Sequence, residues 1–209
     1  NSNMSTFYCP EEVSLAEKLV QLHPWADSVR FARTGGEANA VAIRIARAAT
    51  GRDKVAICGY HGWHDWYLAC NLNSMQNLEE HLLPGLEPNG VPKTLEGTTI
   101  PFRFNNLKEI TSIIENNELA AVKMEVQRSE RPNPGYLEAI SSLCKKKGIV
   151  LIFDECTSGF RETFGGIHLK YNLKPDLSIF GKALGNGYAI TAILGRSEIM
   201  DSVQSTFMS

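Results

Sequence analysis

Apolar positions recur along this chain in two alternating rhythms. Val13, Leu15, Ala16, Leu19, Val20 and Leu22 fall at helical spacing over 11–22 and stop before Pro24. From Gly36 to Thr50 the stripe Ala40, Val41, Ile43, Ile45, Ala46, Ala48 and Ala49 predicts a stronger helix, with Gly51 placed to cap its end. Lys54–Cys58 is a short apolar run bounded by Arg52, Asp53 and Gly59, and it reads as a strand. Further helices are predicted over 107–116 and 136–147, the second with Lys145, Lys146 and Lys147 in its last turn and Gly148 beyond. Strands are predicted over 119–126, 149–153, 175–180 and 188–194. Residues 72–103 hold Pro84, Pro88, Pro92 and Pro101 and read as mostly irregular, weakly helical near 75–83. Helix alternating with strand predicts an α/β fold, a three-layer sandwich around a mostly parallel central sheet. No linker-like stretch divides residues 1–209, so they are read as one domain. The abrupt start and end read as a piece of a longer protein.

Composition narrows the class. With 43% hydrophobic and 21% charged residues, the chain has enough apolar surface for one sizeable core. Lys plus Arg number 21 against 23 Asp plus Glu, a net charge of −2, which lacks the basic footprint of a nucleic-acid binder. The best apolar run, 148–153, is far short of the ~20 residues of a membrane span. No basic stretch followed by an apolar one marks a secretory signal at the start. Five scattered cysteines (Cys9, Cys58, Cys70, Cys144 and Cys156) without a Cys-x-x-Cys pair read as free thiols of a cytoplasmic protein.

Four loops carry residues that could do chemistry. Arg33-Thr34-Gly35-Gly36-Glu37 precedes the long helix, and reads either as a helix cap built on Thr34 or as a phosphate cradle at a helix start. Gly59-Tyr60-His61-Gly62-Trp63-His64 follows a strand and reads as a packed aromatic loop or a platform for a planar ring; the two histidines make only a weak metal signal, and no metal is expected. Asp154-Glu155 ends an apolar strand. Buried carboxylates there need partners; Arg161 is available to one, and the other is left for a ligand. Lys182 lies just past a strand among apolar residues and glycines. It is either a solvent-facing loop lysine or a nucleophile pushed toward its neutral form. Taken together and in this order, an anion site, a ring platform, an acid partner for a ring nitrogen and a lysine for an aldehyde describe pyridoxal 5′-phosphate. A nicotinamide-binding alternative lacks its Gly-x-Gly-x-x-Gly fingerprint.

The runs Arg33–Asn39, Tyr60–Gly62, Pro132–Leu137, Asp154–Arg161 and Pro175–Gly185 resemble class III aminotransferases of the fold-type I pyridoxal-phosphate enzymes, and among them the glutamate-1-semialdehyde 2,1-aminomutase group. The resemblance implies an enzyme of amino-group transfer, a transaminase or aminomutase, acting on a small amino donor and a carbonyl acceptor as a homodimer. Other reactions of the same cofactor, decarboxylation or racemisation, stay open, as does a catalytically incompetent fragment. It further implies that 1–209 is most of the cofactor-binding large domain, without the N-terminal arm and C-terminal small domain. Carried over by position, Thr34, Gly35 and Gly36 meet the phosphate, and Tyr60 stacks on the ring. His61 and Glu125 belong to the same cofactor site. Asp154 holds the ring nitrogen protonated, Cys156 packs on the opposite ring face, and Lys182 forms the Schiff base and moves the proton. Four departures stand out. Thr34-Gly35-Gly36 replaces the usual Ser-Gly-Thr and removes a hydroxyl; Cys156 replaces valine; Thr157 replaces glutamine; and Glu125-Val126 replaces Glu-Pro.

Overall fold

A computed structural model describes residues 9–79, 81 and 87–206. In chain order the main elements are α1 (Pro10–Leu22), β1 (Ser28–Ala32), α2 (Gly35–Thr50), β2 (Lys54–Cys58), the single turn α3 (Asp65–Leu68), β3 (Thr99–Pro101), α4 (Leu107–Asn116), β4 (Leu119–Glu125), α5 (Tyr136–Lys147), β5 (Val150–Asp154), β6 (Leu177–Phe180), β7 (Thr191–Gly195) and the short α6 (Ser197–Met200). Seven strands form one sheet in the order β1-β7-β6-β5-β4-β2-β3. The run from β3 to β6 is parallel, while β7 lies antiparallel to both β6 and β1. The mostly parallel sheet of the sequence reading is therefore present, with an antiparallel margin.

Helices cover both faces, which makes the sandwich three-layered. Ala38, Ala42, Ile43, Ile45 and Ala46 of α2 pack against Val55, Ile57, Ala121, Ile152, Ile179 and Ile193 on one face. Ile110 and Ile114 of α4, with Leu137, Ile140 and Cys144 of α5, pack against Ala56, Val122, Met124, Leu151 and Phe153 on the other. Strands covered on both sides are apolar at nearly every position, because neither face reaches water. The predicted helix ends hold: Gly51 and Gly148 both sit in the left-handed region, at φ 67° and 60°, where they close α2 and α5.

Several boundaries differ from the sequence reading. β1 was not anticipated, because Ser28-Val-Arg-Phe-Ala32 is half-buried throughout and is a strand only by pairing with β7. β3 has three residues and ends on Pro101, as an edge strand tolerates. The strand expected at Tyr188 begins at Thr191, since the Tyr188 N–H turns back to the Gly185 carbonyl and the Tyr188 ring is exposed. The weak helix near 75–83 resolves into successive turns over 74–79 and at His81, closed by three-residue hydrogen bonds; residues 80, 82 and 83 lie outside the described part.

Candidate active site

The C-terminal ends of β2, β4, β5 and β6 and the start of α2 converge on one edge of the sheet, where open parallel sheets hold their ligands. In-register pairing aligns Glu125 with Asp154 and Asp154 with Ile179, so the last residues of β4 and β5 lie side by side and next to the penultimate residue of β6. The loop after β6 then begins at Gly181, one residue before Lys182.

Asp154 is held there from several sides. Its Oδ2 accepts from His61 Nδ1 at 2.9 Å, and its Oδ1 accepts from the Cys156 N–H at 3.0 Å. Lys123 Nζ stands 3.5 Å from the same Oδ2, close enough to form an ion pair but without hydrogen-bond geometry. Burial alone raises the Asp154 carboxyl; the Lys123 ammonium and the His61 and Cys156 bonds outweigh it and hold the group well below the usual carboxylate range. His61 is pushed down to about 4, by burial and by the nearby Lys123 charge. A neutral imidazole therefore donates Nδ1–H to the carboxylate, and its buried Nε2 has no hydrogen-bond partner among the described residues. The ring is held parallel to Trp66 at 6.4 Å and edge-on to Tyr67 at 5.8 Å.

The helix start is tied to this group by close backbone approach. Thr34 caps α2 in a reciprocal box: its hydroxyl accepts from the Glu37 N–H at 3.2 Å, and Glu37 returns to the Thr34 N–H. The first-turn N–H groups of Gly35 and Gly36 stand where a helix has no carbonyls of its own to offer. The cap reading of this loop is therefore present, at a helix start whose N–H groups are those a phosphate would need. A Cβ on Gly36 would lie 2.8 Å from the His64 ring, and one on Gly62 would lie 2.9 Å from Gly36 Cα, so only glycines allow this approach. Cys156 Sγ bridges the two ligand loops, 3.5 Å from where a Gly35 Cβ would sit and 3.3 Å from that of Gly181. Burial keeps its thiol protonated.

Lys182 departs from its expected setting. It is exposed rather than buried among apolar neighbours, because Leu184 turns away to pack near Leu19 and Phe180. Its backbone is left-handed at φ 46°, an uncommon conformation for a non-glycine residue. The amine donates to Thr157 Oγ1 at 3.0 Å, so this threonine anchors the lysine. Tyr60 is half-buried and edge-on to Tyr67 at 6.0 Å, with its N–H donating to Glu125 Oε2 at 3.2 Å. Arg128 donates to that same oxygen at 2.9 Å. Arg161 is not the partner of the neighbouring carboxylate. Glu155 is buried and satisfied instead by His168 Nδ1 at 2.7 Å, Ser158 Oγ at 2.6 Å and the N–H groups of Ile167 and His168. His61 and His64 point to different partners, and among the described residues no three His, Cys, Asp or Glu side chains cluster as metal ligands. No helix among the described residues is long and apolar enough to cross a membrane.

The sequence profile "Aminotransferase class-III" matches residues 2–209. The chain belongs to the class-III aminotransferases. The 3-aminobutyryl-CoA aminotransferase of Cloacimonas acidaminovorans is 37% identical over 198 residues, covering 90% of this chain and 43% of that protein. A glutamate-1-semialdehyde 2,1-aminomutase of Francisella philomiragia is 36% identical over 204 residues, covering 93% of this chain and 46% of the relative. An omega-transaminase from Sphaerobacter thermophilus superposes with a TM-score of 0.81 at 31% identity, over 94% of this chain and 47% of that one. The class-III aminotransferase chain thus spans under half the length of the curated relatives it matches.

Lys123 is not among the residues singled out in the sequence, and His61 stands with its Nδ1 on Asp154 Oδ2. The signal for Lys123 was present. A lysine inside Leu119-Ala-Ala-Val-Lys-Met-Glu125, a strand apolar on both faces, cannot reach water from the middle of a sheet.

Proposed function

We propose that residues 1–209 are the cofactor-binding part of a pyridoxal-5′-phosphate-dependent amino-group transferase, a homodimer that takes an amino donor and a carbonyl acceptor in the cytoplasm. The observation that carries this reading is the placement of Asp154 and Lys182 at the ends of adjacent strands, with Cys156 linking both to the start of α2. The residues fit such a group: the Gly35–Gly36 approach leaves a helix start free of side chains, and Asp154 is held charged with no cation in full hydrogen-bond contact. The bound cofactor supplies a ring that accepts the electron pair released when a bond at the substrate's amino-bearing carbon breaks.

The chain's own residues do the rest. The N–H groups of Gly35 and Gly36 and the Thr34 loop bind the phosphate, helped by the positive end of the α2 dipole. Asp154 keeps a proton on the ring nitrogen by charge, and His61 holds the carboxylate in its orientation. Tyr60 and Cys156 would hold the ring between them, with Glu125 fixing the Tyr60 backbone. Lys182 Nζ would hold the aldehyde end of the cofactor and would take and return the proton at the substrate's amino-bearing carbon, with Thr157 Oγ1 as its resting partner. Relatives of similar identity include both an aminotransferase and an aminomutase, so transfer to a second molecule and transfer within one molecule are the two forms this reading takes. Five free cysteines, four of them buried, support a reducing compartment.

The test is Asp154→Asn in the full-length protein loaded with cofactor and mixed with an amino donor in single turnover. Amino transfer should slow on the order of a hundredfold or more while the cofactor remains bound. A rate equal to that of the unmodified protein would remove Asp154 from the mechanism.

A further inference from the structure

Lys123 is a basic residue with no route to water, and burial pushes its amine toward the neutral form while Asp154 pulls it the other way. It lies in β4 between Ile57 of β2 and Ile152 of β5, and its side chain is 0% exposed. Strand alternation puts it on the α2 face with Ala121, whereas Val122 and Met124 face the other layer. Its surroundings offer one free counter-charge. Glu125 is occupied by Arg128 and the Tyr60 N–H, His61 is neutral, and burial keeps the Cys156 thiol protonated. What remains is Asp154 Oδ2 at 3.5 Å, the oxygen that already accepts from His61.

Stability does not explain this arrangement. Burying an ion pair gains little or nothing over apolar residues of similar volume, which the rest of this face already uses. The ammonium does, however, touch the carboxylate that the proposed function assigns to the cofactor's ring nitrogen. Two cations then share one anion: the ammonium keeps Asp154 charged, and by like-charge repulsion disfavours a proton on the ring.

We propose that Lys123 is a positioning residue that acts through Asp154, fixing the carboxylate in its charged form and competing with a bound pyridinium nitrogen for it. The bound ring is then held less strongly protonated than Asp154 alone would hold it. This rests on the reading of Asp154 as the ring-nitrogen partner. Around Lys123 the titratable groups are Asp154 and Cys156 at the end of β5, Glu125 on its own strand and His61 after β2.

The test uses full-length protein loaded with pyridoxal phosphate carrying ¹⁵N in its ring, and follows the ring-nitrogen resonance against pH. In Lys123→Met the midpoint of protonation should move up by about one pH unit or more, the usual effect of removing one nearby charge. An unmoved midpoint overturns the proposal. If Lys123→Met does not fold, the unmodified protein gives the reciprocal reading, since coupling acts equally on both partners. With ¹⁵N-labelled lysine, the Lys123 Nζ midpoint should be lower with pyridoxal phosphate than with an analogue carrying carbon in place of the ring nitrogen. Equal midpoints overturn the proposal as well. Asp154→Asn separates the two levels. A ring-nitrogen signal indifferent to Asp154→Asn removes the underlying assignment and this proposal with it; a signal that responds to Asp154→Asn but not to Lys123 removes this proposal alone.

Discussion

Replacing Asp154 by asparagine keeps the shape of the side chain and removes its charge, and the structure sets what that costs. The amide oxygen can keep the Cys156 N–H bond. Its NH₂ then faces His61 Nδ1, which can accept by changing tautomer. Lys123 has no such recourse: its buried ammonium loses the counter-charge 3.5 Å away. Breaking one side of a buried pair costs about 3–5 kcal/mol, and lysine can limit this by releasing its proton, which burial already favours. We expect a loss of about 3 kcal/mol at pH 7, shrinking as the pH rises and the amine is neutralised. In a Lys123→Met background the same change should cost about 1 kcal/mol, a coupling of about 2 kcal/mol between the two sites. Urea unfolding of the four cofactor-free proteins measures each value. An Asp154→Asn penalty below about 1 kcal/mol, or one that is equal in both backgrounds, would refute the account of this cluster.

Two further outcomes follow from the same geometry. His61 titrates at about 4 in the fold against 6.5 for an ordinary imidazole, so the unfolded chain takes up a proton that the folded chain refuses as the pH falls through this window. Folding stability should therefore drop on acidification, by about 3 kcal/mol from this residue at about 1.4 kcal/mol per pH unit; stability–pH slopes that are the same in His61→Phe would exclude it. Gly36→Ala places a methyl group 2.8 Å from the His64 ring, so the helix start must shift. Cofactor affinity should fall about tenfold to a hundredfold in titration, the worth of one charge-assisted contact, and should recover in part when His64→Ala makes room. No recovery would place the loss elsewhere.

The fold was legible where local pattern and packing agree. The α2 stripe, its Gly51 cap and the apolar β5 run each have one stable arrangement, and these elements set the sheet. β1 was not legible because its half-buried Ser28–Ala32 sequence becomes a strand only beside β7, a long-range pairing that no local window contains. In the candidate site, Thr34 to Gly36, Asp154 and Lys182 could be read because each marks a helix start or a strand end. Lys123 was hard to read by type, since a lysine in sequence looks like a solvent-facing residue; the signal lay in the apolar run around it, and the neighbours on both sides of β4 seal it in. The exposure of Lys182 was one of two settings the sequence left open; in the structure its backbone is left-handed and Leu184 packs against the cluster of Leu19 and Phe180.

The central claim is that Lys182, and not the buried Lys123, meets the cofactor. Full-length protein incubated with pyridoxal phosphate, reduced with borohydride and digested should carry the label on the peptide containing Lys182 alone. Lys182 is exposed at the strand-end edge beside Thr157, whereas Lys123 is sealed inside the sheet. A label on Lys123 or on Lys54, with Lys182 unmodified, would contradict the account at its base.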